Sequence, residues 1–391
     1  MRMYIAGQWT EAQDTIQVLN PFDGSLVDTV PHAGPTEVDQ ALESATRGAA
    51  IMAELPAYER YRILTKTAGL LRENQEDCAR LISTESGKAL WESRFEVVRA
   101  AETLELSAEE AKRIRGETIP LDAASGGQGK FGFTLRVPCG VVVAISPFNF
   151  PLNLLCHKVG PALAAGNAVI AKPPTDTPLT ALRFTELLLE AGLPPEGIQC
   201  VTGPGASVGE QLCGDPRVRK ISFTGSPSVG ERICQVAGIK KVTMELGSNS
   251  PLIVMPDADL EQVARATAAT GYALAGQVCI STQRVLVNDQ VYEDFLEVLR
   301  PEVEAIVTGN PLEEQTQMGP MIRESDAIRV EGWINEALSS GARLIIGGSR
   351  HGNFVSPTVV ADVDAKQRIS CDELFGPAVA VTRFNDIDQA I

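Results

Sequence analysis

From residue 140 to residue 245 the chain repeats one rhythm: a short β-branched apolar run, a turn, then apolar residues spaced three and four apart. The runs 140–145, 167–171, 198–201, 220–223 and 241–244 read as strands that are apolar on both faces, and helical patterns separate most of them. Such an alternation predicts a doubly wound parallel sheet whose ligands sit beyond the carboxyl ends of its strands. Ahead of it, the first thirty residues alternate apolar and polar around Gly7 and the turn Asn20-Pro21-Phe22-Asp23-Gly24, which predicts short antiparallel strands. Three amphipathic helices follow: one capped by Thr36, one opening near Pro56, and one over 90–115. Residues 121–136, rich in Gly and Ser, read as a linker or protruding hairpin. Beyond residue 244 come an apolar run at 251–255, an alanine-rich helix from Asp257, and Gly276-Gln277-Val278-Cys279-Ile280-Ser281. The fold class expected is α/β: a doubly wound nucleotide-binding domain over 1–246 and a second α/β catalytic domain over 247–391.

Composition narrows the partners. The 391 residues exceed one ordinary core. A net charge of −16 argues against nucleic acid or an anionic membrane surface. Eight cysteines without a C-x-x-C pair, and only three histidines, make zinc and disulfide scaffolds poor readings, so no metal is expected. The start at Met1 lacks the basic and apolar regions of a secretory signal, and no run of about 18 apolar residues occurs. A reducing cytoplasm is the expected compartment.

The unusual residues gather at the strand tips. Ser146-Pro147-Phe148-Asn149-Phe150-Pro151 follows the first strand, and Lys172-Pro173-Pro174 leaves a lysine at the tip of the second. After the fourth, Gly225 would let a phosphate approach the N–H groups of a helix that Ser226 caps and Pro227 starts. Glu245 ends the fifth, taken as a buried strand, and Cys279 follows a helix also taken as buried; together they are a water-activating base and a thiol nucleophile. Four tips facing one crevice predict a nucleotide site. Gly203-Pro204-Gly205 reads only as a turn before a helix, and His157 and Lys158 read as structural.

In order and spacing, Pro-Phe-Asn-Phe-Pro, Lys-Pro, Phe-Thr-Gly-Ser with Gly230, Glu-Leu-Gly, Gly-Gln-x-Cys and Glu373-Leu374-Phe375-Gly376-Pro377 resemble the NAD(P)-dependent aldehyde dehydrogenase superfamily over nearly the whole chain. The resemblance implies oxidation of a small aldehyde to the acid through a Cys279 thiohemiacetal and thioester, with Glu245 as general base and Asn149 in the oxyanion hole. For NAD or NADP it implies contacts from Ile145, Ser146 and Phe148 after the first strand, and from Lys172 and Thr175 after the second. Gly225, Ser226 and Gly230 would hold pyrophosphate, with Leu246, Glu373 and Phe375 near the nicotinamide end. A homodimer or homotetramer is the implied assembly.

Departures from the family's pattern qualify these expectations. Thr175 stands where many NAD-using relatives carry a glutamate, which admits NADP. Ser248 replaces the family's common second glycine after Glu-Leu-Gly. His157 and Ala273 occupy positions where succinate-semialdehyde enzymes carry arginines, which disfavours dicarboxylic semialdehydes and leaves lactaldehyde or glycolaldehyde open. The family normally continues several tens of residues past Ile391, so a fragment, a tail left out or a natural truncation is expected. A non-catalytic structural or regulatory chain of the same fold, and a coenzyme A-acylating variant, are the alternatives, with Glu245 favouring hydrolysis over the latter.

Overall fold

Two antiparallel hairpins open the chain: β1 (Met3–Ile5) with β2 (Gln8–Thr10), and β3 (Asp14–Leu19) with β4 (Leu26–His32). The computed structural model describes residues 1–249 and 251–391. Four helices follow rather than three: α1 (Pro35–Glu54), α2 (Ala57–Glu73), α3 (Gln75–Ser86) and α4 (Leu90–Ala111). Asn74 makes the difference, because it leaves helical geometry at φ −105°, ψ 24° between α2 and α3. Thr36 is not the cap of α1. Gly34 holds that position, Pro35 supplies a preset φ at the first helical residue, and the Glu37 carboxylate accepts the Gly34 N–H at 2.8 Å. A hairpin of β5 (Thr118–Ile119) and β6 (Gly132–Phe133) then projects outward, leaving Phe131, Phe133, Leu135 and Val137 exposed.

The strand, turn, helix rhythm becomes β7 (Val141–Ile145), α5 (Asn153–Ala164), β8 (Ala168–Lys172), α6 (Leu179–Glu190), β9 (Ile198–Cys200), α7 (Glu210–Gly214), β10 (Val218–Thr224), α8 (Pro227–Ala237) and β11 (Lys241–Glu245). These strands run parallel in the order β11-β10-β7-β8-β9, and β1 and β2 extend the sheet antiparallel beyond β9. One face is covered by α2 to α6 and the other by α1, α7 and α8, each with its own apolar core. The strand β11 departs from expectation. It is the sheet edge, paired only with β10, and its residues, Glu245 included, are largely exposed.

The second sheet contains β12 (Pro251–Val254), β13 (Arg284–Asn288), β14 (Arg343–Ile346), β17 (Thr358–Ala361) and β18 (Ala378–Phe384), with the two-stranded ribbon β15 (Arg350–His351) and β16 (Phe354–Val355) set apart from it. Its order is β12-β13-β18-β17-β14, parallel except at β14. The helices α9 (Leu260–Gly271), α10 (Tyr292–Glu304) and α11 (Glu324–Ser339) pack on it around Phe295, Leu299, Val330 and Ile334. The helix preceding Cys279, α9, buries one stripe through Ala264 and Thr267 rather than its whole surface. Among the described residues no helix is long and apolar enough to cross a membrane.

Buried carboxylates on α3 and α4 fix two helix starts against the larger sheet. Glu96 accepts the Leu152 and Asn153 N–H groups at 2.9 and 3.0 Å, and Glu85 accepts those of Leu179 and Thr180 at 2.8 and 2.9 Å. These are first-turn N–H groups with no intrahelical acceptor, so each carboxylate satisfies two donors that burial would otherwise leave unpaired. Burial pushes the Glu85 carboxyl up to about 8. Its folded pKa therefore exceeds its unfolded one, and its share of stability, whole below the ordinary carboxylate range, fades as pH rises through about 8. Glu85→Ala orphans both donors, and urea unfolding at pH 6 should show a loss of about 2–4 kcal/mol; an unchanged midpoint would remove Glu85 from the cap.

Candidate active site

The carboxyl ends of β7, β8 and β10, with the face of α8, form one wall of a cleft of about 850 Å³; Cys279, α11 and the 373–375 segment form the other. Of the residues singled out from the sequence, Ile145, Ser146, Phe148, Asn149, Lys172, Thr175, Gly225, Ser226, Leu246, Cys279, Glu373 and Phe375 line it. Gly230 and Glu245 do not. Gly230 lies buried in α8, where an added Cβ would come within 2.7 Å of the Leu246 side chain, so its smallness seats Leu246 in the wall.

Three consecutive residues ahead of the cysteine, Leu274, Ala275 and Gly276, hold positive φ of 45°, 52° and 68°. Only the last is a glycine, so the turn stores backbone strain that surrounding contacts must hold. Gln277 clamps it: its Nε2 donates to the Leu274 carbonyl at 3.0 Å and its Oε1 accepts the Ile322 N–H at 3.1 Å. Asn149 is buried and donates from Nδ2 to the Gln277 carbonyl at 2.9 Å, while its Oδ1 has no partner among the described residues. This bond ties the loop after β7 to the cysteine loop and leaves the second amide hydrogen of Asn149 uncommitted.

Cys279 is half-buried, and that burial raises its thiol pKa, as do the nearby Glu373 and Glu245 carboxylates; the Cys279 and Ile280 backbone N–H groups oppose them. Ser248, unexplained by the sequence, donates its hydroxyl to the Cys279 carbonyl, and its own N–H reaches Glu373 at 3.2 Å. Glu373 is itself pushed upward by burial, with Arg329 opposing. Arg329 donates to the Leu374 carbonyl at 2.7 Å and lies 5.4 Å from the Trp333 ring, so it fixes the segment that carries Glu373 and Phe375. Phe375, at φ +49°, meets Phe148 edge-on across the cleft at 6.1 Å.

At the opposite end Lys172 ends β8, buried, donating to the Pro173 carbonyl at 2.8 Å; burial pushes its ammonium down to about 8. Thr175 follows, and Asp176 is bound by Arg323 from the other wall, with a Nε to carboxylate distance of 2.9 Å. The turn at Gly203 leads into a helical segment as expected, and its Gly205 also reaches the cleft wall. Ser226 sits at the N-cap of α8, but its hydroxyl makes no capping bond. The Gly225 N–H donates to the Glu245 carbonyl at 3.1 Å, tying the loop before α8 to the end of β11. Lys158, read as structural, is buried and donates to the Thr224 hydroxyl at 2.6 Å; burial lowers its pKa to about 8 and Glu245 opposes that shift. Asp176, Arg323, Arg329 and Trp333 escaped the sequence reading, and only the i, i+4 spacing of Arg329 and Trp333 on α11 signalled any of them. Among the described residues no group of His, Cys, Asp and Glu is arranged to hold a metal.

A nicotinamide dinucleotide fits what these walls leave unsatisfied. Ser146 Oγ and Asn149 Oδ1 are buried without partners, and the buried Lys172 ammonium makes one hydrogen bond where it can make three. The aldehyde dehydrogenase family model matches residues 9–391. The 3-sulfolactaldehyde dehydrogenase of Priestia megaterium is 46% identical over 389 residues, covering 100% of this chain and 81% of that protein. Aspartate-semialdehyde dehydrogenase 1 of Pseudomonas canavaninivorans is 45% identical over 376 residues, covering 96% of this chain and 80% of that one. The NADP-dependent glyceraldehyde-3-phosphate dehydrogenase of Bacillus halodurans, solved with NADP, superposes with a TM-score of 0.97 at 36% identity, covering 100% of this chain and 82% of the other. A thiol on a strained turn, an amide tied to that turn and a sheet whose tips leave buried donors unpaired are thus found in a chain that belongs to the aldehyde dehydrogenase family.

Proposed function

We propose that, in an NAD- or NADP-dependent oxidation of a short aldehyde to its acid, Cys279 is the nucleophile and Asn149 the side-chain donor to the oxyanion. The observation that carries this reading is the Asn149 to Gln277 hydrogen bond, which joins the two loops at the half-buried sulfur. The thiolate adds to the carbonyl carbon. Charge then grows on the former carbonyl oxygen, where the uncommitted Asn149 N–H and the Cys279 backbone N–H stabilise it. When bound, the cofactor supplies the acceptor for the hydride that leaves this carbon. The thioester remaining on Cys279 is hydrolysed by water, for which Glu245 is the proposed base. Glu245 lies outside the cleft wall yet acts electrostatically on Cys279, His157 and Lys158, which supports a role at the site's margin.

Ser146, Lys172, the start of α8 and Glu373 would hold the cofactor. NADP is the cofactor we expect to be preferred. Thr175 brings no charge, and the Asp176 carboxylate beside it is compensated by Arg323. Thr175→Glu adds a carboxylate that repels a 2′-phosphate, and kcat/KM for NADP relative to NAD should fall about tenfold or more. A strong NAD preference in the unaltered protein would defeat this reading. The relatives' substrates place sulfolactaldehyde and aspartate semialdehyde first in a panel with lactaldehyde and glycolaldehyde; reduced-cofactor absorbance with none of them would count against a short-aldehyde substrate. The exposed apolar hairpin of β5 and β6 and the open edge at β11 support assembly into a homo-oligomer.

A further inference from the structure

The strained turn before Cys279 has an anchor outside both catalytic loops. At the start of α4, Glu92 accepts the Leu274 N–H with both carboxylate oxygens, at 3.0 and 3.3 Å. Leu274 is the first of the three left-handed residues, and its carbonyl in turn accepts from the Gln277 backbone and side chain at 3.1 and 3.0 Å. One residue's two polar groups are therefore held from opposite sides. A non-glycine residue at φ 45° relaxes toward negative φ unless its neighbours prevent it, and a charge-assisted bond to its N–H opposes that relaxation.

The same stretch of chain also holds the other loop. The Lys88 ammonium lies 3.7 Å from the centre of the Phe150 ring, the residue after Asn149, and pairs with Glu96. Glu96 accepts the Leu152 and Asn153 N–H groups, fixing the start of α5 just beyond Asn149. The segment from Lys88 to Glu96 thus grips the asparagine loop at one end and the cysteine loop at the other. The Asn149 to Gln277 bond closes the triangle.

We propose that Glu92 is a positioning residue for the reaction, holding the turn at 274–276 so that Cys279 stays in register with Asn149. It touches neither substrate nor cofactor and acts through the backbone. The residue keeps a partly exposed flank, but the packing around its carboxyl group raises its pKa to about 7, with Lys88 opposing and Glu96 reinforcing the shift. The bond to Leu274 nonetheless needs only an acceptor oxygen at the right reach, which either protonation state provides.

The inference rests on the proposed role of Cys279, so its test reads the thiol directly as well as turnover. Glu92→Asp keeps the charge and withdraws the oxygens by one methylene; Glu92→Gln keeps the reach and an acceptor oxygen without the charge. With Glu92→Asp, kcat should fall by about ten- to a hundredfold, and the rate of iodoacetamide labelling at Cys279 should change with it. The cofactor Kd and the thermal midpoint should hold near those of the unaltered protein. Glu92→Gln should rescue kcat to within about threefold. Three results would overturn the proposal: both variants matching the unaltered protein, the reverse order of activities, or losses that only track a lowered thermal midpoint. Altered labelling in Glu92→Asp alongside normal labelling in Glu92→Gln would uphold it even if Cys279 proved not to be the nucleophile, so the two failures are separable.

Discussion

Cys279→Ala lowers kcat for aldehyde oxidation by roughly four orders of magnitude or more, with the fold and the cofactor Kd retained. The magnitude follows from what the substitution would remove in the proposed mechanism: the covalent bond that divides the reaction into addition and hydrolysis. No other thiol can substitute. Cys78, Cys156, Cys200 and Cys213 are buried, and burial pushes their thiols upward, to about 11 for Cys78 and about 12 for Cys200 and Cys213. Cys139 is partly exposed and Cys234 and Cys371 are exposed, but all three are absent from the cleft wall, where Cys279 is the cysteine among the lining residues. Steady-state rates by reduced-cofactor absorbance and a cofactor titration of the variant check the prediction; turnover within tenfold of the unaltered protein would refute it.

Asn149→Ala is the second large effect, with kcat reduced by about a hundred- to a thousandfold. One share of this is the donor lost from the oxyanion. Another is the lost bond to the Gln277 carbonyl, which lets the two loops drift apart. Because the oxyanion forms only in the transition state, kcat and kcat/KM should fall together while KM stays nearly constant. Asn149→Asp loses both amide hydrogens, and with them both shares. It preserves size and an acceptor but presents a carboxylate to the developing charge, so it should be at least as damaging. An Asp variant as active as the unaltered protein would remove Asn149 from the oxyanion site.

The parts of this site written in local sequence were legible. Lys172 at the end of β8 is announced by two following prolines, Ser226 by the proline that starts α8, and Cys279 by the Gly-Gln before it. The parallel order of the strands also follows from runs apolar on both faces. What the sequence concealed depends on distant partners. Arg323 meets Asp176 across 147 positions and Glu92 meets Leu274 across 182, and no periodicity of two or 3.6 encodes such meetings. The strand β11 misled for a related reason. Val242 and Met244 read as buried on both faces, but a terminal place in the sheet is a property of topology, so β11 came out exposed and Glu245 with it. Ser248 shows the converse. A side chain that replaces the family's glycine, with no reason visible in the sequence, binds the Cys279 carbonyl and steadies the loop.

The Glu92 anchor and the Asn149 tie share a physical theme, since each holds a strained turn from a separate part of the chain. Left-handed Leu274 and Ala275 persist only while those contacts outweigh the strain, of order 1–3 kcal/mol per residue. The central claim remains the sulfur. In a rapid-quench experiment with cofactor and an accepted aldehyde, acid-stopped samples are digested and the peptide containing Cys279 is weighed through the first turnover. An increment equal to the acyl group, rising with the reduced cofactor and decaying as the acid appears, is the predicted result; acid formed with no acyl group on Cys279 at any time would contradict it.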